Sequence, residues 1–286
     1  MKKVFLTFGD GGQAFVDARE RIAAEAASCG EFDDVFAYDW SDCSDEAQAS
    51  ILRQYKRGCG YWVWKPDIIY KVLQSLNWGD ALVWSDAGNV VCRSRQWRGF
   101  WKMLETCDVI LRRITSCQMQ FARRELLEFF APRFLKEERS KHLRMCFSFE
   151  PGTIIFRKTQ FTMDLVREWR AIMLKHPELV KDVGQDDAVC QLPVFNENRH
   201  DQAVLTMLVY ETKIQQSMYD KIKPVWEFHA GLFPFGAPAI CVARNRSGKE
   251  FRLSLRDRMI RLCYRLLWRA QILAEKHNCL LCWGRV

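Results

Sequence analysis

One carboxylate in the chain stands where chemistry is expected. Residues 81–84 are a short apolar run that ends abruptly in Ser85-Asp86-Ala87-Gly88, and they follow an amphipathic stretch carrying Ile68, Ile69, Val72, Leu73 and Leu76. A helix and then a short buried strand that ends in an acid and a glycine is how an open α/β sheet presents a carboxylate. The acid lies at the carboxyl edge of a strand, where such sheets bind ligands, so Asp86 is the first candidate for a working residue. Lys65, between Trp64 and Pro66 at the start of the amphipathic helix, is either a plain surface lysine or a cation placed to meet a phosphate, aided by the positive end of the helix dipole. Asn198-Arg199-His200-Asp201-Gln202-Ala203 heads an apolar helix over 204–210, and Asp201 is suited to cap it. His229 carries an imidazole of the kind that joins oxygen ligands around Mn²⁺ or Mg²⁺, with a satisfied core or surface histidine as the plainer reading. Gln185-Asp186-Asp187 is a rival acidic pair.

The elements that must position these residues follow from the apolar pattern. Lys3-Val4-Phe5-Leu6-Thr7-Phe8 reads as a buried opening strand broken at Gly9, with Gly11-Gly12 continuing the turn, a helix over 14–27 and a second strand over 34–38. That start has the shape of a nucleotide-binding unit without the G-x-G-x-x-G of a dinucleotide site. Residues 40–55 are polar and expected to be helical. Tyr61, Trp62 and Trp64 are each expected in the core. Residues 92–146, dense in basic and aromatic side chains, are expected to be helical throughout, with a second apolar face over 125–134. Within them Arg95-Gln96-Trp97-Arg98 is either an amphipathic helix surface over a sheet or a stacking platform for single-stranded nucleic acid. Glu150-Pro151-Gly152-Thr153-Ile154-Ile155-Phe156-Arg157 is a turn into a buried strand, a helix over 161–174 follows, and the segment around Lys223-Pro224 reads as a polar linker.

At 286 residues and 49% hydrophobic content the chain holds a substantial core. Its twelve cysteines are scattered, with one Cys-x-x-Cys spacing at Cys279 and Cys282, and no secretory leader is read. Free thiols in a reducing cytoplasm are the expectation. The net charge of +8 invites a nucleic-acid reading until it is located: residues 244–286 hold eleven Lys/Arg and three acids, and the rest of the chain is balanced at 32 against 32. The body therefore needs no polyanion. Over 251–276, Leu255, Met259, Leu262, Leu266, Ala270 and Leu273 share one helical face beside a stripe of Arg258, Arg261, Arg265 and Arg269. That pattern fits a helix lying on an anionic membrane, or one docked on its own domain with solvated arginines. No run is long enough to span.

Gly-Tyr-Trp-Val-Trp-Lys-Pro at 60–66, Gly-Asp-x-Leu-Val-x-x-Asp-Ala-Gly at 79–88 and His200-Asp201-Gln202 together resemble a group of bacterial GT-A-type glycosyltransferases that build capsular polysaccharide or lipopolysaccharide. The likeness covers most of residues 3–210. It implies an α/β fold with a GT-A-like, Rossmann-like mixed central sheet flanked by helices over 1–243, and the charge and apolar pattern adds a basic amphipathic helical tail over 244–286. It implies a nucleotide-sugar donor, a UDP-sugar first, and a cell-surface glycan or lipid-linked acceptor, with retention of configuration. Thr7, Phe8 and Gly9 would edge the base and ribose. Lys65, Ser85, Asp86, Ala87, Gly88, Gly152 and His200 would complete the donor site, Gly152 letting the sugar approach the backbone. Asp201 and Gln202 would position the reacting sugar. Asp86, with His229, would hold Mn²⁺ or Mg²⁺, although Asp-Ala-Gly has one carboxylate where the wider pattern has Asp-x-Asp. The implied location is cytoplasmic, peripheral on the inner face of the membrane through 251–276, with no nucleic-acid partner. The competing class is a non-catalytic nucleic-acid- or membrane-binding module built on the arginine helix.

Overall fold

The structure, a computed structural model, describes residues 1–131, 147–216, 221–225 and 239–241. The expectations for His229, for 132–134, for Cys279 and Cys282, for the 251–276 helix and for the 244–286 tail fall outside those residues.

Strand β1 (Lys3–Phe8) is apolar at nearly every position and is buried on both faces, as the inner strands of an α/β sheet are. Its alternation divides the core. Val4, Leu6 and Phe8 point to one side and Phe5 to the other, where two separate apolar clusters cover the two faces. Helix α1 (Gln13–Ser28) follows and packs so closely that a Cβ on Gly9 would stand 2.3 Å from the Phe15 carbonyl oxygen. Only glycine fits there. Strand β2 (Asp34–Tyr38) then pairs in parallel with β1.

Helix α2 (Trp64–Ser75) begins with Pro66 in its first turn, where a missing N–H costs no intrahelical bond. It buries Ile68, Ile69, Val72 and Leu73. It leads to β3 (Ala81–Ser85), buried at all five positions, and then to the short β4 (Val90–Val91). Helix α3 (Gln96–Met103) turns Trp97, Phe100 and Trp101 inward. Strands β5 (Val109–Cys117) and β6 (Phe147–Arg157), helices α4 (Gln160–Lys175) and α5 (His200–Gln216), and strands β7 (Ile222–Val225) and β8 (Ile240–Cys241) complete the order.

The six-stranded sheet runs β2-β1-β3-β6-β5-β7, and β4 pairs with β8 in a separate ribbon. Within the six-stranded sheet β6 is antiparallel to both neighbours and the other pairings are parallel, and the β4–β8 ribbon is antiparallel. The mixed α/β architecture with helices on both faces agrees with the expectation from sequence. Two local expectations do not survive. Residues 92–146 are not helical throughout, because β5 runs through them beside β6; Val109, Ile110 and Leu111 are fully buried there. The polar linker at Lys223-Pro224 is an edge strand, a position that accepts proline because one side of the strand needs no donor. The helical expectation for residues 40–55 holds, in three short turns at Trp40–Asp42, Asp45–Gln48 and Ile51–Gln54.

Trp97 has no exposed surface. Its ring stacks on Trp101 at 5.5 Å and its indole N–H donates to the Cys92 carbonyl, so it offers no face to a base and the stacking-platform reading fails. All eight cysteines among the described residues are free. No helix among the described residues is long and apolar enough to cross a membrane.

Candidate functional site

The carboxyl ends of β1, β3, β5 and β7 and the amino end of β6 share one edge of the sheet, and the candidate residues gather on it. Asp86 follows β3 directly, and its backbone N–H donates to the Gly152 carbonyl at 2.8 Å. Asn89, one turn on, fixes that corner: its amide nitrogen donates to Ser85 Oγ (3.0 Å), Gly152 O (2.8 Å) and Thr153 Oγ1 (3.0 Å). From the far side of the turn, Arg21 on α1 donates through Nη2 to the carbonyls of Ala87 and Asn89, both at 2.8 Å. Glu25 then binds Arg21 and accepts from the Val91 N–H. The strand end is thus pinned to a helix and to the neighbouring strand by hydrogen bonds to backbone oxygens, each costly to leave unmade when buried.

Lys65 is not a surface lysine. Its side chain is 2% exposed, and its ammonium lies 3.1 Å from Asp86 Oδ1 and 2.8 Å from Asp201 Oδ2, beside the rings of Trp64 and Trp84. Burial works to lower the Lys65 pKa, and the Asp201 and Asp86 charges more than reverse it, so the amine is held charged. A cation at a helix start opposes the helix dipole; two carboxylates supply what holds it there. Its charge is balanced inside the site, so its first role is to tie a strand end to a helix start. The Asp201 carboxylate faces this amine and accepts from no helix N–H among the described residues, which corrects the capping role expected for it.

Asp86 has its pKa raised to about 6, first by desolvation, with Lys65 opposing and the Asp201 and Glu150 charges adding. Its side chain is 39% exposed while Oδ1 itself is fully covered. Desolvation therefore acts at the oxygen facing Lys65, and Oδ2 faces the bulge at Gly152. There the β5–β6 pairing jumps from Leu111↔Ile154 to Arg112↔Glu150, freeing 151–153 from β5.

His200 heads α5 with φ of 44°. It donates from Nδ1 to the Val180 carbonyl at 2.6 Å, because that carbonyl can only accept. Its ring packs on Tyr61 (4.7 Å) and Trp62 (5.4 Å). Those two and Cys59 are the other non-glycine residues with positive φ among the described residues, a concentration of strained backbone of the sort found at working sites. Burial lowers the His200 pKa, and the Val180 carbonyl and Asp201 oppose it only in part. Thr7 Oγ1, His200 Nε2 and Gln202 Nε2 are buried at this edge with no hydrogen-bond partner among the described residues.

Of the expected residues, the structure brings together Lys65, Ser85, Asp86, Gly152, His200 and Asp201. Thr7 lies one strand over, since the β1–β3 register that pairs Leu6 with Trp84 carries Thr7 beside Ser85. Phe8 is packed on Trp64 at 3.8 Å and is core. Ala87 and Gly88 form the turn that Arg21 clamps, and Gly9 lies under α1. The rival Asp186 and Asp187 sit on an exposed short helix. Sequence reasoning missed Arg21, Glu25, Asn89, Arg112 and Glu150. Among the described residues no three His, Cys, Asp or Glu side chains converge as metal ligands. Asp86 Oδ2 is an oxygen donor of the kind Mg²⁺ or Mn²⁺ takes singly, with substrate phosphates and water as the remaining ligands.

No family model matches the chain, and no curated protein matches it. Among solved structures it is similar in outline to a glycosyltransferase involved in the glycosylation of the major capsid of PBCV-1, with a TM-score of 0.37, 6% identity, and coverage of 79% of this chain and 82% of that one. It is likewise similar to the apo form of mouse xyloside xylosyltransferase 1, with a TM-score of 0.39, 9% identity, and coverage of 79% and 85%.

Proposed function

We propose that the chain is a glycosyltransferase that moves a sugar from a nucleotide-sugar donor, a UDP-sugar first, to a cell-surface glycan or lipid-linked acceptor with retention of configuration. The observation that carries the reading is the buried Lys65 joining Asp86, at the tip of β3, to Asp201, at the head of α5. Carboxylates only accept hydrogen bonds when ionised, so a pair of them fixed on one lysine suits a ligand rich in hydroxyl donors. A sugar is such a ligand.

In this reading Asp201 and Gln202 orient the sugar, and Gly152 leaves room for its ring. Asn89 and Arg21 hold the Asp86 corner in one geometry, which is the preorganisation a charged transition state rewards. Asp86 Oδ2 is the residue that would hold a divalent ion. That ion's chemistry is neutralisation of the charge gathering on the leaving diphosphate. Peripheral attachment to an anionic membrane through 251–276, and a role in capsule or lipopolysaccharide synthesis, belong to the same proposal and rest on the sequence pattern alone.

Screening UDP-, GDP- and CMP-sugars by thermal stabilisation, with and without Mn²⁺, tests it. One nucleotide class raises the melting temperature, and Asp86→Asn removes that rise. If no nucleotide stabilises the wild-type chain, the transferase reading is wrong.

A further inference from the structure

Glu150 and Gly152 stand two apart on β6 and present to one face of the strand. The side chain that 152 lacks leaves a space, and two carboxyl groups lean into it from different strands. A Cβ at that position would lie 3.2 Å from Asp86 Oδ2 and 3.7 Å from Glu150 Cδ. The register break after Leu111 is what brings Arg112 opposite Glu150, and the guanidinium Nη1 holds Glu150 Oε2 in an ion pair. Glu150 Oε1 makes no hydrogen bond among the described residues. The Glu150 side chain is 25% exposed and that of Asp86 39%, so both are within reach of a ligand.

From these positions we infer that Glu150 is a further specificity-determining residue, accepting a hydroxyl of the transferred sugar opposite Asp86, and that the sugar is a neutral one. The inference rests on the transferase reading and deepens it. Two acceptor carboxylates facing each other over a bare stretch of backbone match neighbouring hydroxyls on one pyranose ring, and Arg112 keeps Glu150 from turning away. Asp86, Asp201 and Glu150 carry three negative charges against two positive ones on Lys65 and Arg112, and a divalent ion held at Asp86 would be offset by the two charges of the donor diphosphate. A sugar bearing its own carboxylate would enter against that surplus.

Calorimetric titration with UDP-glucose, UDP-galactose, UDP-glucuronate, CMP-sialate and bare UDP, on wild type and Glu150→Gln, tests the inference. The neutral UDP-sugars bind the wild type more tightly than bare UDP does, and the acidic sugars do not. Glu150→Gln weakens the neutral sugars by roughly tenfold, the size expected for one charge-assisted hydrogen bond, and leaves bare UDP unchanged. Arg112→Met, which frees Glu150 without removing its charge, produces part of the same loss. Equal weakening of UDP and UDP-sugars, no weakening at all, or a wild type that prefers an acidic sugar each overturns the Glu150 proposal while the transferase reading stands. A wild type that binds none of these and is stabilised by no GDP-sugar sinks both.

Discussion

The two ends of the Lys65 bridge are held in opposite ways. At the Asp86 end the chain uses hydrogen bonds: Asn89 ties three acceptors on two strands, and Arg21 caps two carbonyls of the turn. No residue from 85 to 91 has a positive φ. At the Asp201 end it uses rings and stored strain: Cys59, Tyr61, Trp62 and His200 all occupy the left-handed region, and the His200 ring rests on Tyr61 and Trp62. A hydrogen-bonded corner fixes direction and distance at little backbone cost. A strained one costs on the order of 1–3 kcal/mol per residue and persists only while its surroundings enforce it. The first end is the fixed reference of the site, and the second is the end whose geometry depends on packing several residues away.

Cutting the bridge should have the largest effect, because it unsettles both ends together. Lys65→Met keeps the bulk of the stem and leaves the buried Asp201 carboxylate and the partly exposed Asp86 carboxylate without their cation, a change expected to cost about 3 kcal/mol in urea unfolding, the low end for a broken buried pair because solvent screens Asp86. Methionine that left stability unaltered would show that Asp86 and Asp201 do not depend on Lys65. Next comes the hydrogen-bonded end alone. Asn89→Ala leaves Gly152 O, Ser85 Oγ and Thr153 Oγ1 without that donor and should cost about 1–3 kcal/mol. Nucleotide-sugar binding should fall with it, because the Asp86 turn loses its register, and the rings around His200 should keep their aromatic NMR shifts. Loss of those shifts would mean that the two ends are one unit.

How much of this was legible in the sequence depends on the range of the interaction. β1, β2, α2 and β3 could be read from period and from their glycine or polar stops, because each strand is a short, mostly apolar run and an amphipathic helix repeats its face. β5 could not. Its run Val109-Ile110-Leu111-Arg112-Arg113 sits between aromatic-basic segments, and its two arginines hide the strand pattern that Glu150 and the core explain in three dimensions. Pro224 hid β7 in the same manner, since proline argues against a strand until the strand is known to be an edge. Asp86, Lys65 and Asp201 each carried a local signal, but their union did not, being made by residues far apart in the chain. Arg21 and Glu25 have the spacing of an ordinary i, i+4 pair; nothing local says that the arginine reaches the carbonyls beyond Asp86. Asn89, three residues past the acid, was the one missed residue with a usable hint, since asparagine in a turn commonly bonds to nearby backbone.

The smallest expected effect separates the two ends by pH. Burial raises the Asp86 pKa to about 6 and lowers that of His200, and the consequences for stability have opposite sign. For Asp86 the folded state holds its proton more firmly than the unfolded chain, whose ordinary value is 3.8. Its contribution to stability is therefore fully present below that value and is lost as the pH rises through about 6. For His200 the unfolded chain takes the proton first, so its contribution is present above the ordinary histidine value of 6.5 and is lost as the pH falls. Between pH 4 and 7 the two slopes partly cancel in the wild type. Replacing one group at a time uncovers the other: Asp86→Asn should steepen the loss of stability on acidification, and His200→Gln should flatten or reverse it. Unfolding midpoints in urea at half-unit pH steps would show both. Identical pH profiles for the two variants would mean that neither group titrates as its end of the bridge requires, and the contrast between a relaxed corner and a strained one would then have no electrostatic counterpart.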